Sequence, residues 1–419
     1  MLSRLARFVD PPRLRTLEGD GGERRATWLE LFLDLVFVVA IAQLSSGVGD
    51  EAGARQLAIL AGLFVPIWWA WVGFTFYADR FDTDDGPHRL LVFLGMFAVA
   101  GLASTIPEAY EGNTAGFAVA YAMTRLVVIV LNARAWLHLP AARPLLNVYI
   151  PAFTASAVLF ALSVLVDPPL RYVLWTVALA IDLGTPLLSA ERIRAVPIHT
   201  SHIPERVGLL TIIVFGETVL AVVIGVDTVT WTWDSGLVAA LGFATAAAIW
   251  WLYFDFLDTG VVQRSILAGQ VYLFAHLPLL IGLTDLGVGV KLAIKASGDS
   301  GMPAGAAWAM AGGVALVLAA MAVITLVTDP AGLDSDVAVR LGGAIVAIGI
   351  AAFATGLWPV AFTALVAALI VCLLVVELVG HEAHMGSDLE LVGDEVDREG
   401  PSIPMDSHAH PSTDQVADH

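Results

Sequence analysis

Long runs of apolar residues, separated by short polar segments, follow one another along almost the whole chain. Each run has about 20 residues, which is the length that a helix needs to cross the hydrocarbon core of a bilayer. The runs are continuous and do not alternate with polar positions, so they predict helices rather than the strands of a barrel. We place twelve spans, at 28–47, 56–78, 89–106, 114–138, 147–167, 171–190, 206–226, 236–257, 266–288, 304–328, 337–356 and 358–380.

Three local similarities between the halves of the chain indicate an internal repeat of six spans. Chance similarity between apolar segments of biased composition is the alternative explanation. Because the repeating unit has an even number of spans, the two halves would run in parallel. We therefore predict an all-α integral membrane protein with about 12 transmembrane helices, arranged as two parallel six-helix repeats. The similar pairs are 67–71 (IWWAW) with 249–253 (IWWLY), 118–123 (AVAYAM) with 305–310 (GAAWAM), and Glu30 with Glu205.

The spans and their flanks divide the chain into five predicted segments. A cytoplasmic basic arm (1–27) precedes the first six-helix repeat (28–190). A cytoplasmic linker (191–205) leads into the second six-helix repeat (206–380). The remaining residues, 381–419, hold ten acidic side chains and one arginine, a composition typical of a disordered acidic tail.

Composition narrows the classes of function. The chain is 58% hydrophobic and 14% charged, with a mean hydropathy of +0.79, which agrees with a membrane protein whose first partner is the lipid bilayer. A net charge of −18 argues against a nucleic-acid partner. The single cysteine, Cys372, excludes an internal disulfide. No phosphate loop, nucleophile elbow or dinucleotide fingerprint occurs in a suitable context, so we expect no cofactor, no metal site and no enzyme.

Basic residues of the loops predict the orientation in the membrane. With the N-terminus inside, sixteen arginines fall in cytoplasmic segments, and four arginines and lysines fall in external ones. The remaining Arg125 lies within a span. The bias predicts that both termini are cytoplasmic.

Ionisable residues within spans are costly to bury and commonly mark functional sites. Arg125, Asp182, Glu217 and His276 lie near the middle of their spans. Arg125 needs a carboxylate partner, and Asp182 and Glu217 are the candidates at its depth. A fixed ion pair that holds the bundle together is the alternative to a substrate site. Glu217 could instead be a neutral side chain hydrogen-bonded to a neighbouring helix, and His276 a hydrogen-bonded residue of the core.

A second set of candidates lies at the cytoplasmic ends of two spans. Glu30 and Asp34 are four residues apart and share one face of the first helix. With Glu205 they predict the entrance of a proton or substrate path whose centre is formed by Glu217, Arg125 and Asp182, and we include Arg206 and His276 in this path. The alternative is that Glu30 and Asp34 cap their helix and pair with arginines of the arm or a loop.

Two segments resemble the bacterial low-temperature-requirement A (LtrA) family. They are 30–45 (ELFLDLVFVVAIAQLS) and 202–223 (HIPERVGLLTIIVFGETVLAVV). Members begin with an E-L-F-F-D-L-V-F-V helix and carry H-x-x-E-R-x-G-L-x-x-I-I-x-x-G-E midway; Leu33 stands here where the second phenylalanine is usual. The resemblance covers roughly residues 25–380. It implies a membrane location in bacteria and, through the name, growth in the cold, but it supplies no substrate and no catalytic residue.

These observations favour a proton-coupled secondary transporter of an unknown small solute in the bacterial cytoplasmic (inner) membrane. The alternative is a non-transporting membrane scaffold or cold-adaptation and stress-adaptation factor, which predicts closed ion pairs and no polar cavity. An enzyme acting on lipid would need convergent nucleophilic or metal-binding residues, and a channel would need more polar groups along the spans.

Overall fold

The computed structural model describes residues 11–14, 26–50, 52–194, 196, 202–257, 265–328 and 335–398. Within these ranges, the side chains of residues 82, 194, 202 and 381–398 are not described.

The described residues form twelve helices that are long and apolar enough to cross a membrane. The predicted number of spans is therefore confirmed. In chain order the helices are α1 (Trp28–Gly47), α2 (Ala54–Arg80), α3 (Gly86–Ser104), α4 (Ala115–His138), α5 (Arg143–Ser163), α6 (Leu170–Leu188), α7 (His202–Asp227), α8 (Trp233–Phe256), α9 (Ile266–Lys295), α10 (Ala304–Ala307, Trp308–Gly312 and Gly313–Thr328), α11 (Ser335–Phe353) and α12 (Pro359–Arg398).

Side-chain caps explain where several helices begin. Thr27 and Glu30 form a capping box at the start of α1, in which each side chain accepts a hydrogen bond from the other residue's backbone N–H. Asp85 caps α3 by accepting from the backbone N–H of His88, and it also pairs with Arg134 of α4 at 2.5 Å. Such caps satisfy orphan backbone donors and each stabilise a helix by about 1 kcal/mol.

Two helices continue well past the predicted ends of their spans. Helix α9 continues to Lys295, seven residues past its predicted end, with most of its last turns buried. Helix α12 continues to Arg398 and so includes part of the tail that the sequence predicts to be disordered. Residues 399–419 of the tail lie outside the described residues.

One piece of the predicted basic arm pairs with a loop. Residues Arg13–Leu14 form a short strand, β1, that pairs antiparallel with β2, Phe81–Asp82, directly after α2. Residues 1–10 and 15–25 of the arm are not described. The arm is thus held to the loop between α2 and α3, which the sequence predicts to be cytoplasmic.

Among the described residues, four helices make the main contacts between the two halves of the chain. Helices α1 and α2 of the first half contact α7 and α9 of the second. Within each half, the first helix packs against the third and the third against the fourth: α1 on α3 and α3 on α4, then α7 on α9 and α9 on α10. Other neighbours differ between the halves: α5 packs against α6 and α2 against α4, without comparably extensive counterparts among the described residues of the second half. The repeat therefore stays a prediction.

Large apolar side chains are exposed all around the bundle. Phe97 and Ile345, for example, are 77% and 70% exposed, and they lie within spans. Soluble monomers do not expose apolar patches of this extent. The exposed side chains are consistent with a surface that faces lipid.

Candidate functional site

A buried ion pair connects the first helices of the two halves. The Nη2 atom of Arg206, on α7, lies 2.7 Å from Oδ1 of Asp34, on α1. The same carboxylate oxygen accepts a hydrogen bond from the indole N–H of Trp71, on α2, at 2.8 Å. Asp34 and Arg206 are both fully buried. Three helices are thus joined at one carboxylate.

Glu30 places a second carboxylate beside the same guanidinium. Its Oε2 atom lies 3.8 Å from Nη1 of Arg206 and also takes part in the capping box. Glu30 precedes Asp34 by one helical turn, so one arginine faces two carboxylates along one face of α1. We call Glu30, Asp34, Trp71 and Arg206 the inter-half cluster.

Glu205 adds a further contact between the halves. Its Oε1 atom accepts a hydrogen bond from the backbone N–H of Ala26, just before α1, at 3.2 Å. The prediction that Glu30, Asp34 and Glu205 lie together at one end of the bundle therefore agrees with these contacts. The alternative partners Arg24 and Arg25 lie outside the described residues.

Burial makes the inter-half cluster sensitive to the loss of one charge. Removing two charges from water is costly, and their attraction offsets that cost only while both are present and well oriented. Breaking a buried pair by deleting one partner costs about 3–5 kcal/mol. Arg206 Nε finds no hydrogen-bond partner in the part of the chain described, so the guanidinium is not held on every side.

A second buried ion pair lies wholly within the first half. Nη2 of Arg125, on α4, lies 2.7 Å from Oδ1 of Asp182, on α6. The other carboxylate oxygen of Asp182 accepts hydrogen bonds from Tyr121 at 3.2 Å and Ser156 at 2.7 Å. The Arg125 guanidinium also lies over the ring of Phe153, 4.2 Å from its centroid. Asp182 is therefore satisfied on both oxygens. The Nε and Nη1 atoms of Arg125, like those of Arg206, find no hydrogen-bond partner among the described residues.

His276 belongs to a hydrogen-bonded group of the second half. Its Nδ1 atom lies 2.7 Å from the backbone carbonyl oxygen of Tyr272, and its Nε2 lies 2.8 Å from the hydroxyl of Tyr253. A carbonyl oxygen can only accept, so Nδ1 carries a proton, and in the neutral ring Nε2 accepts from Tyr253. His276 is fully buried and satisfied on both nitrogens, which agrees with the interpretation as a hydrogen-bonded core histidine.

Glu217 lies apart from both ion pairs. It is partly buried on α7, and its side chain makes no hydrogen bond or ion pair with any residue that the structure describes. Val219 and Leu220, close to it on α7, are exposed. The structure brings Arg125 to Asp182 but does not bring Glu217 to either of them, so the three residues of the predicted centre do not form one cluster.

Helix α2 contacts both buried ion pairs and the helix that carries His276. Trp71 faces Asp34, and two residues on, Gly73 faces Arg125, whose Nη1 would lie 3.1 Å from a Cβ at that glycine. Trp68 and Trp69 pack against Phe274, two residues before His276. The hydrogen bond from Trp71 to Asp34 could not be predicted from the sequence. No local signal separates Trp71 from its neighbours.

Among the described side chains, no group of three or more histidine, cysteine, aspartate or glutamate residues is placed to hold a metal ion.

Twelve apolar helices that enclose charged side chains define a polytopic α-helical membrane protein.

Comparison with known proteins assigns the family. The chain belongs to the family of the bacterial low temperature requirement A protein (LtrA), whose family model matches residues 25–377. It is also 32% identical over 287 residues to an uncharacterized protein of Rhizobium meliloti (strain 1021), and the aligned part covers 64% of this chain and 69% of that protein. The resemblance of the two segments is thereby confirmed, and a bacterial family of this architecture indicates the inner membrane.

Proposed function

We propose that the protein is a proton-coupled secondary transporter of a small solute, with both termini in the cytoplasm. The observation that carries the proposal is the buried pair of Asp34 and Arg206, which joins α1 to α7 at 2.7 Å. Transporters built from two halves work by rocking one half against the other. A contact that protonation can weaken, placed between the halves, is the coupling element that such a movement needs.

In the proposed mechanism, a proton on Asp34 removes the charge that holds Arg206 in place. The guanidinium then moves toward Glu30, which already lies 3.8 Å away and one turn nearer the start of α1. The cation keeps a carboxylate partner throughout, so the movement avoids the full cost of an unpaired buried charge. Loss of the proton returns Arg206 to Asp34 and resets the contact.

Glu217 has a separate place in this proposal. It lies on α7, the helix that carries Arg206, and meets no cation among the residues described. A carboxyl group without a fixed cation is suited to gain and release a proton during a cycle. Glu217 is therefore the second proton-carrying group of the proposed path, and the pair of Arg125 and Asp182 is a structural element of the first half.

The experiment is proton movement in proteoliposomes with a trapped pH-sensitive dye, measured while a panel of metabolites is added outside. The unmodified protein should change the internal pH with at least one solute. Asp34→Asn should abolish this response, and Glu217→Gln should reduce it. Asp227→Asn, at the exposed end of α7, is the matched control and should respond as the unmodified protein does. A solute-dependent pH change that persists in both Asp34→Asn and Glu217→Gln would show that these two carboxylates do not carry the transported proton.

A non-transporting membrane scaffold is the second candidate function, and one observation favours it. Arg125 and Asp182 are both fully buried, and Asp182 is hydrogen-bonded on both oxygens, as in a purely structural bundle. The scaffold predicts that Asp34→Asn lowers stability and changes no flux of any kind. A solute-dependent pH change in the unmodified protein excludes it.

A further inference from the structure

A cavity lies outside both ion pairs, among helices of the two halves. Its volume is about 680 Å³, within the range of ligand sites in proteins. Helix α2 contributes Leu57, α9 contributes Asp285, α10 contributes Trp308 and Ala319, and α11 contributes Ile348. Trp308 and Ile348 are 45% and 48% exposed, so the cavity reaches the surface of the bundle.

Asp285 is the only ionisable side chain among the described residues that line this cavity. It is 7% exposed, and its Oδ1 atom is enclosed without a hydrogen-bond partner among them. An isolated carboxylate in an apolar site is strongly unfavourable unless a partner satisfies it. Lys295, ten residues further along α9, pairs with Asp50 at 2.5 Å.

Close helix packing holds Asp285 in this position. Helices α9 and α10 approach so closely that a Cβ at Gly313 would lie 3.1 Å from Cβ of Asp285, and one at Gly289 would lie 2.3 Å from the backbone nitrogen of Met310. The cavity side of α10 begins with a π-helical turn, Trp308–Gly312, a feature that often occurs at functional sites. The carboxylate thus lies on a rigid wall and has little freedom to turn elsewhere for a partner.

The rest of the lining is apolar and small. Apart from Asp285 and Trp308, the described lining residues are alanine, glycine, leucine and isoleucine, and none of them carries a cation that could hold a phosphate or carboxylate group. Its chemistry is complementary to a molecule with an apolar body and one positively charged hydrogen-bond donor. The Trp308 ring also favours a cation nearby.

We propose that this cavity binds an amphiphilic primary amine, with its ammonium group donating to Asp285 and its apolar body against Trp308 and Ala319. The N–H of the ammonium group donates a hydrogen bond to the enclosed carboxylate oxygen of Asp285, and its positive charge balances the negative charge of that carboxylate. The absence of cations from the described lining favours a free amine over an aminophospholipid, whose phosphate would have no partner. The inference does not depend on transport.

The test is calorimetric titration of the full chain in nanodiscs of phosphatidylcholine, with empty nanodiscs subtracted. The probes are 4-phenylbutylamine, its trimethylammonium analogue and 4-phenylbutanol, which separate charge from hydrogen-bond donation. The amine should bind saturably, and the other two at least about tenfold more weakly, as expected for loss of a charged hydrogen bond or of the charge. Equal affinity for amine and alcohol, or no saturable binding of the amine, would overturn the proposal.

Two substitutions place the binding in this cavity. Asp285→Asn should weaken the amine at least about tenfold and leave the alcohol unchanged. Ala319→Phe should fill the cavity and remove binding of both, without touching the carboxylate. Asp227→Asn is the control for loss of an acid elsewhere. If Asp285→Asn does not fold, the three probes and the Ala319→Phe variant test the proposal without it. Undiminished binding of the amine to either variant, in folded protein, would overturn the proposal.

The same titration in nanodiscs that contain phosphatidylethanolamine distinguishes the two sources of an amine. Unchanged affinity for 4-phenylbutylamine supports a free amine as the ligand. A competitive loss of affinity would show that the lipid headgroup occupies the cavity, and it would overturn the choice of a free amine.

Discussion

Single polar contacts in this protein connect helices that are far apart in sequence. The Asp34 carboxylate receives one donor from Arg206, 172 residues away, and another from Trp71, 37 residues away. In a low-dielectric interior each of these hydrogen bonds is stronger than in water, and each broken one leaves a group that nothing else satisfies. The contribution of one residue to stability therefore depends on the partner that it leaves behind.

Paired substitutions of two neighbouring tryptophans isolate one such bond. Trp71→Phe removes the N–H that Asp34 accepts, whereas the buried Trp69 N–H has no partner among the described residues. Both changes lose the same volume, so their difference reports the hydrogen bond. We expect Trp71→Phe to destabilise the protein by about 1.5–3 kcal/mol more than Trp69→Phe, in reversible unfolding in mixed micelles. Equal losses for the two variants would contradict the contact.

The sequence identifies those site residues whose charge lies in the middle of an apolar span. A mid-membrane arginine demands a carboxylate, and Asp182 was one of two candidates for Arg125. The partner of Asp34 depended on how α1 and α7 are rotated about their axes, which tertiary packing decides. Glu217, like Asp182, is a carboxylate near the middle of a span. No pattern in the sequence shows that Asp182 meets Arg125 and Glu217 does not.

At the scale of helices, glycine decides how closely α9 and α10 approach. A Cβ at Gly289 would lie 2.3 Å from the Met310 nitrogen, and one at Gly282 would lie 2.5 Å from the Gly313 oxygen. Distances this short exclude any side chain, since small residues are what allow helix backbones to come together in membranes. The contact brings Asp285 to the wall of the cavity.

Gly289→Ala should therefore separate α9 from α10, although alanine favours helix more than glycine does by about 1 kcal/mol. The clash should outweigh that gain and destabilise the protein by about 1–3 kcal/mol. Gly342→Ala, on α11 with open space around it, is the matched control and should be neutral or stabilising. Thermal unfolding of both variants checks the difference; equal stability of the two would show that the helices are not in this close contact.

The spans were predictable because a run of about 20 apolar residues is a property of the local sequence. The residues at which the helices end were less predictable. The last turns of α9 are buried among other helices up to Ile294, so a loop was predicted where tertiary packing extends the helix. Helix α12 continues to Arg398, into the acidic tail; acidic composition predicts solvation and does not by itself exclude helix.

For the whole molecule, the distribution of basic residues predicts which loops face the cytoplasm. In a Cys372→Ser background, Ser300→Cys in the loop between α9 and α10 should react with a membrane-impermeant maleimide on intact cells. Ala141→Cys, between α4 and α5, should react only after the membrane is permeabilised. The opposite pattern would invert the proposed topology, and labelling of both positions on intact cells would contradict the span count between them.

The molecule as a whole combines one ion pair within its first half with one that connects its two halves. Arg125 and Asp182 stabilise the first half from within, whereas Asp34 and Arg206 link the first half to the second. Only the second arrangement makes the contact between the halves depend on a proton. The central claim is therefore that Asp34 accepts a proton and that Arg206 then turns to Glu30.

Infrared difference spectroscopy of the protein in nanodiscs, between neutral and acidic pH, tests this claim most directly. We predict a protonated-carboxyl band that Asp34→Asn removes and Asp227→Asn keeps, together with a change in the guanidinium bands that Arg206→Lys removes. A spectrum that is the same for Asp34→Asn and the unmodified protein would show that Asp34 does not take up the proton and would contradict the account.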